Sequence, residues 1–145
     1  MAALATVQGI KHNQGEVGFP QVLANAIIYQ GAMVGITAAG YAQPYATGNF
    51  FAGHALETVD ATGLASGAAR VPVLRGSGGT YYMTVPVFNS TTVAHIGDAV
   101  WGATDNHADL SRTDPGTTLT TTDRKATIHD IDPAGNVILK FATTC

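Results

Sequence analysis

Five histidines, at positions 12, 54, 95, 107 and 129, come first in any search for chemistry, because imidazole binds metals and moves protons near neutral pH. Their spacing contains no His-x-His, no His-x3-His and no cysteine partner, the arrangements that aim several ligands at one ion. His129-Asp130-Ile131-Asp132 is the densest ligand-like group. Strand alternation would turn His129 away from both aspartates, and Asp132 is explained by the turn it opens. Asp105-Asn106-His107-Ala108-Asp109 gathers carboxylates and an amide but lacks the alternating aspartates and closing glutamate of a calcium loop. It reads as a polar hairpin tip.

Nucleophiles fare no better. There is no Gly-x-Ser-x-Gly, and Ser66, Ser77 and Ser90 lie where loops favour small polar residues. Ser90, His95 and Asp98 are neighbours in sequence, which says nothing of a triad in space. Cys145 is the terminal residue. Glu16 and Glu57 are the only glutamates, and Glu57 reads as a rim residue rather than half of a hydrolytic pair. Gly76-Ser-Gly-Gly could cradle a phosphate, but no lysine or helix start follows it. No catalytic constellation, metal site or cofactor is expected. Aromatic groups remain: Tyr41, Tyr45, Phe50 and Phe51, then Tyr81 and Tyr82. These residue types fill β cores, and when exposed they stack on sugars or anchor protein interfaces. Tyr41, Tyr45, Phe50 and Tyr82 are the candidates for an oligomer or partner interface.

The elements that must carry these residues are mostly strands. Threonine and glycine recur, glutamate, lysine and glutamine are scarce, and short apolar runs alternate with Gly, Asn, Asp and Pro at intervals of about ten residues. A small antiparallel β-barrel or sandwich with at most one short helix is expected. Pro20 to Tyr29 fits a helix, with Pro20 at its first position and Leu23 and Ile27 on one face. The β-branched pair Ile27-Ile28 followed by Tyr29 fits a strand equally well. Strands are expected over Ala32 to Thr37, Tyr41 to Gln43, Phe50 to Thr58, Arg70 to Arg75, Thr80 to Phe88, Asp98 to Ala103, Ala108 to Ser111, Ala126 to Ile131 and Val137 to Phe141. Gly76 to Gly79 reads as a hairpin loop, and Thr104 to His107 as another. Tyr81, Met83, Val85 and Val87 should share one face, as should Val137, Leu139 and Phe141. Pro72 and Pro86 each remove a ladder donor and imply edge positions or bulges. Asp132-Pro133-Ala134-Gly135 has the residue order of a type I turn.

Two stretches differ. Residues 1–19 hold Leu4, Val7, Ile10, Val17 and Phe19 as sparse apolar anchors and read as an extended N-terminal arm ahead of a single β domain, 20–145. Arg112 to Lys125 is Thr-rich and reads as a long surface loop. An internal echo, Gly31-Ala-Met-Val-Gly-Ile-Thr against Gly97-Asp-Ala-Val-Trp-Gly-Ala, suggests two related β units, 27–88 and 96–141.

Composition narrows the partners. Of 145 residues, 46% are hydrophobic and 12% charged, with a net charge of −3 and seven Lys and Arg. The hydrophobic share excludes a disordered chain. Charge runs near half the ~25% of an average soluble domain, which points to a surface facing other protein. The acidic balance argues against nucleic acid, which would select a basic stripe. No stretch is apolar for long enough to suggest a membrane span or leader, so a soluble protein folding where it is made is expected.

The order of segments carries a resemblance. Ile28-Tyr-Gln-Gly-Ala-Met-Val-Gly-Ile-Thr, Gly40-Tyr-Ala-Gln-Pro, Phe51-Ala-Gly-His-Ala-Leu-Glu-Thr-Val-Asp, Gly67-Ala-Ala-Arg-Val-Pro-Val-Leu-Arg-Gly and Ile96-Gly-Asp-Ala-Val-Trp follow one another before a hairpin. This succession, over roughly residues 27–141, resembles the small head decoration, or capsid cement, proteins of tailed bacteriophages. It departs in the longer Thr-rich 112–125 segment. The resemblance implies a mostly β, non-enzymatic virion protein, assembled in the bacterial cytoplasm, that binds the outer surface of the expanded head. It implies homotrimers that clamp neighbouring major capsid subunits, with an N-terminal arm ordered on the lattice. Leu4, Val7, Ile10, Val17 and Phe19 would then contact the capsid. The rival expectation is a carbohydrate- or host-receptor-binding module of a fibre or spike, stacking sugars on Tyr41, Tyr45, Phe50 and Phe51.

Overall fold

The computed structural model of the chain describes residues 17–76, 79–88, 91–102, 104–107, 110–112 and 124–143. The sequence anchors Leu4, Val7 and Ile10 and the Thr-rich residues 113–123 lie outside these. The described elements are strands β1 (Val17–Gly18), β2 (Ile27–Ile28), β3 (Met33–Ile36), β4 (Ala42–Pro44), β5 (Phe50–Ala55), β6 (Val59–Asp60), β7 (Val73–Leu74) and β8 (Thr80–Val85). A single 3-10 turn (Val93–His95) follows, then β9 (Ala99–Trp101), β10 (Arg124–Ile131) and β11 (Val137–Ala142).

The fold is mainly β, as the residue mix requires. Its strands form a five-stranded sheet in the order β1-β7-β5-β3-β4, a four-stranded sheet in the order β8-β11-β10-β9, and the small pair β2-β6. All strand pairs are antiparallel. The arrangement is sandwich-like and not a closed barrel, because the end strands of each sheet do not meet. The five-stranded sheet is buried on both faces. Met33, Tyr45 and Phe51 from its side share one apolar cluster with Tyr81, Val85, Val100, Ile128, Val137, Leu139 and Phe141 of the four-stranded sheet. Val34, Ala52 and Val73 share a second cluster with Val22, Ile28, Ala61 and Val71 from the segments layered on the other face.

Several local expectations resolve here. Pro20 to Tyr29 contains no helix. Asn25 takes a left-handed conformation (φ 61) that interrupts any helical run, and Leu23 donates its N–H to the Ala42 carbonyl instead. The Asp132–Gly135 turn closes as expected. Gly135 N–H donates to the Asp132 carbonyl, and Asn136 N–H to Asp132 Oδ1. Val137, Leu139 and Phe141 are all fully buried. The described part of the 104–107 hairpin is a reciprocal backbone pair between Trp101 and Ser111.

β7 and β8, on either side of Gly76 to Gly79, do not pair as a hairpin, and residues 77 and 78 lie outside the described residues. β7 already has β1 and β5 as neighbours, so the chain turns the corner at Gly76 and β8 starts the other sheet. The division between sheets thus falls between residues 74 and 80, and β8 pairs with β11 near the far end of the chain. Pro72 stands just ahead of β7, which is an inner strand rather than an edge, so the ladder does not need its missing N–H. Its carbonyl still accepts from Leu56. Pro86 ends β8, an edge strand, and Val87 beyond it is exposed instead of continuing the Tyr81 face. Arg124 and Lys125, expected in a surface loop, begin β10.

Candidate functional site

Two bulges decide where the reactive side chains go. Pairing of β10 with β9 slips between Arg124 and Ala126, and a bulge turns an extra residue out of the alternation. That residue is Lys125, so Lys125 and Ala126 are both buried, Lys125 with 1% of its surface exposed. Its Nζ sits 2.9 Å from the centroid of the Tyr45 ring and 5.2 Å from that of Phe51. A cation over an aromatic face in a dry site gains about 2 kcal/mol, and its stem lies beside Gly102, where a Cβ would crowd it. A similar slip in the β3–β5 pairing falls beside Gly53. His54 follows it and is buried against Phe51, Tyr81 and Phe141, the Phe141 ring 4.6 Å away edge-on.

His54 is the centre of a polar chain between the layers. Its Nδ1 lies 2.5 Å from the Tyr81 hydroxyl on β8, and its Nε2 lies 2.7 Å from Nε2 of His107. The His54 and His107 rings stack at 4.9 Å. The assignment that gives the Tyr81 O–H an acceptor has it donate to Nδ1, with His54 Nε2–H donating to His107. Both imidazoles are then neutral. Burial, the neighbouring His107 and the Lys125 charge push the His54 pKa down to about 3. Burial also lowers that of His107, against a smaller opposing effect of Asp105, and raises that of Tyr81. The group joins the five-stranded sheet, the four-stranded sheet and the loop after β9 through directed hydrogen bonds. Among the described residues, no three His, Cys, Asp or Glu side chains gather as a metal set.

Two surface clefts stand out among the described residues, and His54, Tyr81 and His107 line neither. One, of about 350 Å³, runs over the outer face of the four-stranded sheet between Thr80, Arg124, Thr127, Lys140 and Thr143. The other, of about 210 Å³, is apolar and lies where β1 leads into the sheet, lined by Gly18, Phe19, Pro20, Ile36, Ala52, Val73 and Arg75. Phe50 stands opposite Ile36 in the β3–β5 register. Val17, Phe19 and Phe50 are 42%, 60% and 48% exposed.

The residues singled out from the sequence therefore separate. Phe19 lines the apolar cleft and Phe50, opposite Ile36, stands beside it, whereas Val17 pairs with Leu74 and is not part of the lining. Tyr45 does not belong to an interface in this chain: it is buried in the core under Lys125. Phe51 is buried as well, so the four-ring platform of Tyr41, Tyr45, Phe50 and Phe51 is not assembled. Tyr82 is exposed on the opposite sheet, its ring 4.7 Å from that of His129. His129 is the extra residue of a bulge between Ile128 and Asp130, so it does not alternate with Asp130 as expected. Asp130 Oδ1 accepts the Ile131 N–H. Sequence reasoning missed the grouping of Lys125, His54, Tyr81 and His107. His54 and His107 lie 53 residues apart, and only the layering of the sheets joins them. No helix among the described residues is long and apolar enough to cross a membrane. No protein-family model matches the chain, and no curated protein or solved structure matches it either.

Proposed function

We propose that this chain is a structural protein that binds other protein at the apolar cleft beside β1, and that it serves as a decoration or cement protein on the outside of an expanded phage head. The observation that carries the reading is the exposed Phe19 lining that cleft, with the exposed Phe50 beside it opposite Ile36. Exposed aromatic and aliphatic side chains beside a concave apolar surface are the usual anchors of protein interfaces. The low charge of the chain and the resemblance in segment order support the same reading. The major capsid lattice is the partner this reading requires, and homotrimers multiply contacts that are individually modest. The buried histidine chain suits a structural role, since it ties layers together and opens on neither cleft.

Phe19→Asp tests the proposal. The side chain is exposed, so the fold should survive, while loss of an interface anchor costs ~2 kcal/mol, about 30-fold in affinity. Co-sedimentation with expanded, undecorated heads should show that loss, and deletion of residues 2–18 should abolish binding. Unchanged decoration by either variant, or saturable binding of the wild-type chain to glycans instead of heads, would sink the reading.

A further inference from the structure

β8 is the outermost strand of its sheet, and among the described residues no strand pairs with its open side, although Gly76 stands against the Thr80 carbonyl at its start. Its register against β11 is continuous from Thr80 to Val85. Thr143 N–H donates to the Gly79 carbonyl, which makes that opposed pair a hydrogen-bonded one. In an antiparallel ladder such pairs alternate. Tyr81, Met83 and Val85 therefore spend their backbone groups on β11, while Tyr82 and Thr84 turn theirs outward. Exposed edges are ordinarily guarded by charge, proline, a bulge or brevity. The Thr-Tyr-Tyr-Met-Thr-Val strand has no charge, no internal proline and no bulge, and is six residues long. The other sheet ends are guarded: β1 has two residues, β4 carries Pro44 and a bridge from Val22, and β9 is flanked by the Trp101–Ser111 bridge.

We propose that β8 pairs antiparallel with β8 of a second copy of this chain, about a two-fold axis at Met83. Tyr82 then lies opposite Thr84 of the other copy and exchanges both backbone hydrogen bonds with it, twice by symmetry. Met83 faces its counterpart, and Tyr81 faces Val85. Aromatic against β-branched is a favourable cross-strand pairing. Pro86, which has no N–H, and Gly76, which already stands against the Thr80 carbonyl, end the ladder on both sides. Charge permits the contact. Lys140, the β11 neighbour of Tyr82, is separated from its counterpart by three strand spacings, about 14 Å, beyond the ~8 Å screening length at physiological salt. The two four-stranded sheets become one continuous sheet. The pairing goes beyond the decoration reading and does not depend on it.

Sedimentation equilibrium of the full chain should show a dimer contact that Thr84→Pro weakens about 30-fold, through two outward N–H groups lost per dimer at ~1 kcal/mol each. Proline is tolerated at an outward edge position, and circular dichroism checks that the variant folds. In a C145S background, M83C should form a disulfide-linked dimer, because directly opposed residues at a two-fold axis lie within bonding reach. If T84P fails to fold, this cross-link decides. A chain that stays monomeric overturns the proposal, as does an assembly indifferent to T84P. Loss of assembly in T84P without an M83C cross-link overturns the two-fold register, and would mean that the edge takes another protein's strand.

Discussion

Acidification from pH 7 to pH 4 is expected to remove about 3 kcal/mol of stability through His54 alone, at ~1.4 kcal/mol per pH unit. In the unfolded chain this histidine takes up its proton near pH 6.5, whereas burial holds the folded value at about 3. Between those limits the unfolded state binds a proton that the folded state refuses, so stability is complete above pH 6.5 and falls as the pH drops. His107, also lowered by burial, acts in the same direction. Protonating His107 would set its Nε2–H against that of His54, and protonating His54 would set an Nδ1–H against the Tyr81 hydroxyl that now donates there. A loss of 3 kcal/mol is a large part of the 5–15 kcal/mol of a typical domain. Urea midpoints at pH 7, 5.5 and 4 measure it, and His54→Gln should flatten the dependence while lowering stability at pH 7. A midpoint that stays level from pH 7 to pH 4 in the wild-type chain would show that the histidine pair is not held neutral.

Gly53→Ala should cost about 4 kcal/mol, among the largest effects a single methyl group can have. Gly53 has φ +133, a conformation that L side chains rarely adopt, and its added Cβ would run into the Leu74 carbonyl oxygen and lie 2.8 Å from Val73 Cγ1. The obstacle is the backbone of β7, which cannot swing aside as a side chain can. Gly63→Ala is the control. Its φ is +76, but open space surrounds the site, so only backbone strain of about 1 kcal/mol is expected. Denaturant unfolding of the two variants should differ by about 3 kcal/mol. Equal losses would mean that β5 and β7 separate easily, and that the five-stranded sheet is looser than its burial implies.

What was legible in the sequence follows from the range of the forces involved. Alternation along Val137, Leu139 and Phe141 and the Asp-Pro-Ala-Gly turn are local, so their faces and the hairpin they form were readable. The faces of Lys125 and His129 were not, because each sits at a bulge and a single extra residue reverses the alternation that follows. Gly76 looked like a hairpin because glycine permits a tight turn, yet which sheet the chain turns into depends on β7 having both sides taken. The cleft beside β1 was half legible. Phe19 stood out as an apolar residue in a polar stretch, but Phe50 comes beside its cleft only through the β3–β5 register, and Val17 pairs with Leu74 outside the lining. Tyr45 failed as an interface residue because nothing local shows that a lysine 80 residues later folds over its ring.

The pairing of β8 with β11 also has a consequence during synthesis. β8 is complete at Val85, but its partner begins at Val137. At roughly 5–20 residues per second, this uncharged six-residue strand waits several seconds on the ribosome with both of its edges unpaired. Nascent or prematurely terminated chains should therefore be the species that stick to one another, and chaperone contact should centre on residues 80–85. Restoring the last hairpin, rather than strengthening the first sheet, is what would rescue a slow or aggregating variant.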